Sequence, residues 1–360
     1  MTSRYKSASV FVALDQMAAM TMRRTALKPA DAQQASIANV AERAGVSIAT
    51  VSRVLNGIAN KASAETVARV RQAVAELDYR PSSAGKSLRQ RQSRLVAVLA
   101  ANLANPTMAA IAASTEVALR QQGLVMVLCD THDDPKLQDE YLREMRAQQA
   151  RAIVFLGAVA SPMLDLMRGG PTPLIFVNRR DPGDPNGDFV GIDNVQAGRD
   201  VATHALAHGI RHPALIHAPL ASSATRARVE AIVESFAAAG HPIPPSLVLG
   251  PAEKEHLAIG YAAARLLQRD GADYDALICT GDLIAFGAHR FIEESARPVS
   301  LPIYGFDDNP LNDWVAPWLS SVLIPYGTFG QAVAELIAED REGGDRERVL
   351  PHKLVDRRRS

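Results

Sequence analysis

Only two cysteines, Cys129 and Cys279, occur in 360 residues. That is too few for a disulfide framework. Both lie in apolar, strand-like runs, which suits buried thiols in a reducing compartment. No apolar run approaches the roughly 18 residues that span a bilayer. The mildly apolar stretch 8–20 is broken by Asp15 and Gln16. It has no convincing cleavage site, so a signal peptide is not expected. Together these absences predict a cytoplasmic protein. No phosphate-binding loop of P-loop spacing and no nucleophile elbow is present, so no catalytic residues are assigned and an enzyme is not expected. His204 and His208 stand four apart on a predicted helix. Gly209 and Pro213 end that helix without placing a third ligand, so neither a metal site nor a cofactor is predicted.

Formal net charge is also lacking, at +0, but the zero hides a cancellation. Residues 36–94 hold ten Lys/Arg against four Asp/Glu, and residues 1–35 hold five against two. The remainder is therefore acidic. A basic N-terminal part on an acidic body suits contact with nucleic acid at one end.

Residues 1–35 have no sustained periodicity and read as a disordered extension. Residues 36–80 read as a compact helical headpiece, and 81–93 as a basic hinge. From 94 to 360 short apolar runs alternate with amphipathic helices. Strands are predicted at 95–101, 124–130, 151–157, 174–179, 214–218, 276–280, 303–306 and 321–325. Helices are predicted between most of them, at 107–122, 136–149, 195–208, 225–239 and 283–294. Apolar strands separated by helices imply parallel sheets covered on both faces. Their number favours two lobes with a ligand between them, at the carboxyl ends of the strands. The lobe boundaries are set at about 94–190 with 325–352, and about 191–324 with the C-terminal tail. The expected class is α/β: an all-α helix-turn-helix headpiece plus a periplasmic-binding-protein-like body of two doubly wound parallel-sheet lobes.

The most informative segment is 36–56. Ser36 is a good N-cap. Ile37, Val40, Ala41 and Ala44 share one helix face, and Gly45 can take the left-handed conformation that ends the helix. Ser47 caps a second helix whose inward face is Val51, Val54 and Leu55. That leaves Ile48, Ala49, Thr50, Ser52 and Arg53 outward at its start, where a helix entering the major groove presents side chains to base edges. Arg53 can donate twice to guanine. Thr50 and Ser52 suit phosphates, while Ile48 and Ala49 can touch thymine methyls. A third helix capped by Ser63, with Val67, Val70, Val74 and Leu77 inward, is expected to run until Pro81 stops it. An ordinary helical hairpin remains the alternative for the turn taken alone.

The blocks Val40-Ala41, Ala44-Gly45-Val46-Ser47 and Thr50-Val51-Ser52-Arg53-Val54-Leu55-Asn56, followed by Leu77-Asp78-Tyr79-Arg80-Pro81, resemble the lactose-repressor/galactose-repressor (LacI/GalR) family. The resemblance runs from 36 to about 356. It implies a sequence-specific DNA-binding transcriptional regulator, a repressor. Its partners would be a pseudo-palindromic double-stranded operator, a second copy of the chain and a small effector, with sugars or sugar acids favoured and no membrane involved. It adds Ser47 and Asn56 to the DNA-facing set. In the hinge, Lys86 becomes a phosphate contact and Leu88 a minor-groove wedge, while Gly85 stands where the family usually has alanine. In the body, the resemblance implies effector contacts at Thr107 and Met108 of Asn105-Pro106-Thr107-Met108, and at Asn178 of the 174–180 run. It adds Arg228 of Thr225-Arg226-Ala227-Arg228 and Asp307 of Tyr304-Gly305-Phe306-Asp307-Asp308. Asp282 joins them, although Gly281 replaces the asparagine that usually precedes it. A planar arginine donor and a carboxylate acceptor suit a polyol or an acid sugar. A transport-type solute-binding protein is the second reading of the body, and an enzyme the third. The absence of a leucine-heptad tail favours a dimer over a tetramer.

Overall fold

The structure is a computed structural model and describes residues 35–55, 62–79, 93–295, 301–339 and 346–357. The extension 1–34, Asn56, and the hinge positions Gly85, Lys86 and Leu88 lie outside the described residues. The chain divides into two units, Met1–Lys86 and Ser87–Ser360.

The first unit holds helices α1 (Ile37–Ala44), α2 (Ile48–Leu55) and α3 (Ala64–Glu76). Each start has a local cause. Ser36 Oγ accepts from Asn39 N at 3.3 Å while Asn39 Oδ1 accepts from Ser36 N at 2.9 Å, a reciprocal capping box built on asparagine. Gly45 at φ 63° ends α1. Ser47 Oγ accepts from Thr50 N at 3.2 Å, and Ser63 Oγ from Thr66 N at 3.2 Å. Val40, Ala41, Ala44, Val51, Val54, Val70 and Ala73 form the core. With so few apolar side chains, such a unit rarely gains more than about 3–5 kcal/mol from its core. Two expectations change. Helix α3 stops at Glu76, well before Pro81, where Asp78 turns to φ 42°. Ser52 is buried rather than outward. At about 100° per residue it lies beside Leu55 on the flank of the Val51–Val54 face.

The second unit runs in chain order β1 (Leu95–Ala100), α4 (Pro106–Gln121), β2 (Val125–Asp130), α5 (Pro135–Ala147), β3 (Ala152–Leu156), α6 (Pro162–Met167), β4 (Leu174–Val177) and β5 (Phe189–Ile192). It continues with α7 (Asn194–Ala207), β6 (Pro213–Ile216), α8 (Ser223–Ala238), β7 (Val248–Leu249), α9 (His256–Arg269), β8 (Ala276–Cys279), α10 (Asp282–Glu294), β9 (Ile303–Asp307), α11 (Asn312–Val315) and β10 (Leu319–Leu323). It closes with α12 (Tyr326–Ala338), β11 (Glu347–Leu350) and β12 (Lys353–Val355).

Two six-stranded sheets result, in the orders β11-β5-β4-β3-β1-β2 and β12-β10-β9-β8-β6-β7. All pairs are parallel except β10 with β12. The chain passes between the lobes three times: after β5, after β10 and after β11. Central strands such as β3 and β8 are buried along their whole length, as parallel strands covered on both faces must be. Helices α9 and α10 cross at glycines. A Cβ on Gly260 would lie 1.9 Å from the Ile284 carbonyl oxygen, and one on Gly287 1.9 Å from that of Leu257. No helix among the described residues is long and apolar enough to cross a membrane. Both cysteines are unpaired; Cys279 is buried and Cys129 half-buried.

Candidate DNA interface and effector site

On the headpiece, the start of α2 exposes Ile48 and Ala49, and Arg53 stands exposed one turn later. Arg53 Nε donates to the Ala49 carbonyl at 3.2 Å. This holds the side chain along the helix surface and leaves its terminal nitrogens for a bidentate contact. The Ser47 and Thr50 hydroxyls lie 2.9 Å apart, so each can be recruited by a phosphate oxygen without exposing a buried group. Ile48, 51% exposed, is an apolar side chain left open on the helix surface. Arg53, Thr50, Ala49, Ile48 and Ser47 are thus brought together at one helix end, and the buried Ser52 is not.

In the body, Asp307 ends β9 in the second lobe, pointing at the junction of the lobes. The Tyr326 hydroxyl donates to its Oδ1 at 2.5 Å, and the Thr107 hydroxyl is also in hydrogen-bonding reach. Both partners begin helices of the first lobe. Residue Tyr326 opens α12 and Thr107 is in the first turn of α4, and these two helices are tied by Ser114 Oγ, which donates to the Tyr326 carbonyl at 2.9 Å. Asp307 is therefore a carboxylate of one lobe held by hydroxyls of the other. Burial pushes its carboxyl above the usual range, and Arg228, Tyr326, His256 and Thr107 oppose that rise.

Arg228 lies on the buried face of α8. Its Nε donates to Asn194 Oδ1 at 2.8 Å, Nη1 donates to the Thr280 carbonyl at 2.9 Å, and the guanidinium sits 4.4 Å from the Phe306 ring centroid. Burial lowers its basicity and Asp307 opposes that. Among the described residues Nη2 has no protein acceptor, so one side of the fork is available to a ligand oxygen.

Met108 is buried beside Thr107, with Asn102 N donating to its Sδ at 3.3 Å, so it supplies apolar wall. Asn178 sits at φ 65°, and its buried Oδ1 has no hydrogen-bond partner. It lines a cavity of about 360 Å³, together with Arg180, Asn194, Ser223, Arg226 and Glu230 among others, and neither Asp307 nor Arg228 is in that wall. Asp282 is placed differently. Its carboxylate accepts from Ser321 Oγ at 2.7 Å, Asn312 Nδ2 at 2.6 Å and Asp308 N at 2.9 Å. Its oxygens are thus occupied by protein donors beneath the site. Burial, with Asp307 near, pushes its carboxyl up to about 8 against the Ser321 and Asn312 hydrogen bonds. A Cβ at Gly281 would stand 3.8 Å from Asp307 Oδ2, so glycine there widens the space beside the carboxylate.

Motif reasoning passed over Tyr326, His256, Arg179 and Asp133. His256 opens α9, and burial lowers its imidazole against the pull of Asp307. Arg179 pairs with Asp133 at 3.0 Å, and both bear electrostatically on His256. Tyr326 had a local signal, an aromatic just after Pro325 at a strand-to-helix turn, and Arg179 follows Asn178 in the 174–180 run. Asp133, Asn178, Asp307 and Asp308 all have positive φ. Such backbone costs on the order of 1–3 kcal/mol per residue and collects where a site requires it.

A helix-turn-helix unit and a two-lobed body with a charged, hydroxyl-lined junction define a DNA-binding regulator with an effector domain. The family described as "Bacterial regulatory proteins, lacI family" matches residues 36–82, and "Periplasmic binding proteins and sugar binding domain of LacI family" matches residues 93–305. The chain belongs to the LacI family of transcriptional regulators. It is 32% identical over 301 residues to the HTH-type transcriptional regulator GntR of Pseudomonas aeruginosa, covering 82% of this chain and 86% of that one. It is 28% identical over 332 residues to the HTH-type transcriptional regulator DegA of Bacillus subtilis, covering 89% and 97%. Its fold is that of the lac repressor dimer bound to operator and an anti-inducer, with a TM-score of 0.77, 23% identity, and 90% and 98% of the two chains covered.

Proposed function

We propose that this regulator is a cytoplasmic, non-enzymatic repressor that binds a pseudo-palindromic operator as a homodimer and releases or gains affinity when a sugar or sugar acid enters the junction of the lobes. The observation that carries the reading is Asp307 with Arg228. A half-buried acceptor and a half-engaged guanidinium bear on one another electrostatically, and the hydroxyls that steady Asp307 come from the opposite lobe. A ligand that replaced the Tyr326 or Thr107 contact would favour one lobe arrangement by differential affinity, which is what a shift in equilibrium requires. A relative with 27% identity and a TM-score of 0.66, solved as the CelR–cellobiose complex, supports a carbohydrate. The DNA contacts proposed are Ser47, Ile48, Ala49, Thr50 and Arg53, with Asn56, Lys86 and Leu88 beyond the described residues. The effector contacts proposed are Thr107, Met108, Asn178, Arg228 and Asp307, with Tyr326, His256 and Arg179 added and Asp282 as their support. The limits proposed for the parts are a headpiece at 36–80, a hinge at 81–93 and a body from 94.

Self-association has support from exposed apolar side chains on both lobes. Edge strand β2 shows Val125 and Leu128, with Val117 exposed on α4, and helix α11 shows Trp314 at 84% exposure beside Val315. A parallel-sheet edge with an apolar face is normally covered, and a second copy supplies that cover. Light scattering at micromolar concentration should give a dimer; a stable monomer or tetramer would contradict it. The effector class is tested by thermal shift with aldoses, cellobiose and aldonic acids, since a ligand at 100 times its dissociation constant adds about 2.7 kcal/mol. An operator gel-shift with each stabilising compound then reads the sign of regulation.

A further inference from the structure

Asp200 and His204 on helix α7 and His208, its C-cap residue, stand at four-residue spacing, which puts them in one row along the helix. That row lies against the C-terminal segment. His352 Nε2 meets Asp200 Oδ2 at 2.9 Å, and Asp356 Oδ2 lies 3.5 Å from His204 Nε2. One ligand atom each of His204, His208 and Asp356 can be chosen so that all three lie within 4.8 Å of one another. The sequence offered only the pair of histidines. The third group comes from the far end of the chain, beyond β12.

Each of the three is also held from behind. His208 Nδ1 lies 2.7 Å from the carbonyl oxygen of His204. A carbonyl only accepts, so Nδ1 carries the hydrogen, and the neutral ring has its lone pair on Nε2. His204 Nδ1 is 3.3 Å from the hydroxyl of Tyr304, a fully buried residue on β9, which turns His204 Nε2 toward Asp356. Asp356 Oδ1 accepts at 3.1 Å from Ser320 Oγ, on the buried part of β10, which directs Oδ2 to the same point. Ligand atoms oriented by outer hydrogen bonds are the pattern of built metal sites.

We propose that His204, His208 and Asp356 form a binding site for a divalent transition-metal ion, zinc being the favoured member. Two imidazoles and one carboxylate leave a fourth tetrahedral position for water. Bonds of about 2.0–2.2 Å need ligand atoms a little over 3 Å apart. The His204–Asp356 pair already stands at 3.5 Å, and the His208 ligand atom would have to come in from within 4.8 Å. The ion would staple the end of the chain to α7. The next residue, Arg357, donates to Asp308 at 2.5 Å and to Asp313 at 2.6 Å, and Asp308 N is bound to Asp282 beneath Asp307. The stapled segment is therefore the one that braces the floor of the effector site. The proposal stands on the geometry of α7 and the tail and does not depend on the identity of the effector.

The test uses the full chain, stripped with a chelator and titrated with Zn²⁺ near neutral pH by calorimetry, with Co²⁺ and its visible absorption as a second probe. One ion per chain is expected, with a rise in Tm. Binding should be lost in His208→Ala and in Asp356→Asn, both exposed positions whose change leaves the fold alone. Tyr304→Phe and Ser320→Ala, which cannot touch the ion, should each weaken binding about 10–100-fold. No binding by the unaltered chain, or equal stoichiometry and affinity in His208→Ala and Asp356→Asn, would overturn the proposal.

Discussion

The headpiece and the body do opposite things with sequence. In the headpiece the described residues of the candidate interface fall between Ser47 and Arg53, and the caps at Ser36, Ser47 and Ser63 are decided within three residues of themselves. In the body the site is drawn from Thr107, Arg179, Arg228, His256, Asp307 and Tyr326. These residues sit on six different segments, and only the folding of two sheets brings them together. A reader of DNA can be a local motif, because the groove comes to the helix. A pocket must be assembled, because its ligand is enclosed. The headpiece should therefore tolerate loss of a functional side chain with little change in stability, whereas the body should lose stability and response together.

The largest expected effect is at Arg228. Replacing it with alanine takes the donor away from both Asn194 Oδ1 and the Thr280 carbonyl in a buried setting, and each buried acceptor left unsatisfied costs about 1–3 kcal/mol. Chemical denaturation of the full chain reads this in the body transition. A loss below about 1 kcal/mol would mean that Arg228 holds the site less tightly than its hydrogen bonds imply. Next come the glycines of the α9–α10 crossing. Gly260→Ala or Gly287→Ala forces a methyl against a backbone carbonyl, and overpacking of this kind costs about 1–3 kcal/mol, again in the body alone. Arg53→Ala should leave both transitions in place. It should remove about 1–3 kcal/mol of operator affinity and relax the preference at one base pair per half-site; a salt-titrated binding isotherm on operator and scrambled DNA checks both. If Arg53→Ala instead unfolded the headpiece, the contrast between the two regions would fail.

The smallest effect concerns pH. Burial lowers the His256 imidazole below its ordinary value of 6.5, so as pH falls the unfolded chain takes up that proton before the folded one. The stability this group contributes is whole above 6.5 and is lost as pH falls from there toward the lowered value. Thermal unfolding between neutral and mildly acidic pH should show a shallower decline in His256→Gln than in the unaltered chain.

Much of the fold was legible because burial period and punctuation agree with it. The central strands are near-continuous apolar runs, and Gly45 marks its turn by a backbone need that few other residues meet. The misses have physical reasons. Strands β5, β7, β11 and β12 are two to four residues long, too short to show a period. The strand expected at 321–325 is β10 at Leu319–Leu323, because Ile324 and Pro325 already belong to the crossover into α12. Ser52 was misplaced because a serine beside an apolar stripe looks solvent-facing until the helix is packed. In the site, Arg228 and Asp307 stand in recognisable surroundings. His256 owes its place to tertiary packing alone, and no spacing could have announced it.

The central claim is that Asp307 couples the effector to the operator without itself taking part in DNA binding. An operator titration of Asp307→Asn beside the unaltered chain, with and without the compound that shifts the Tm of the unaltered protein, tests it directly. The account predicts equal operator affinity for the two proteins in the absence of that compound, and a shift on adding it in the unaltered chain only. A variant that still responded to the compound with the same shift would contradict the account and remove Asp307 from the site.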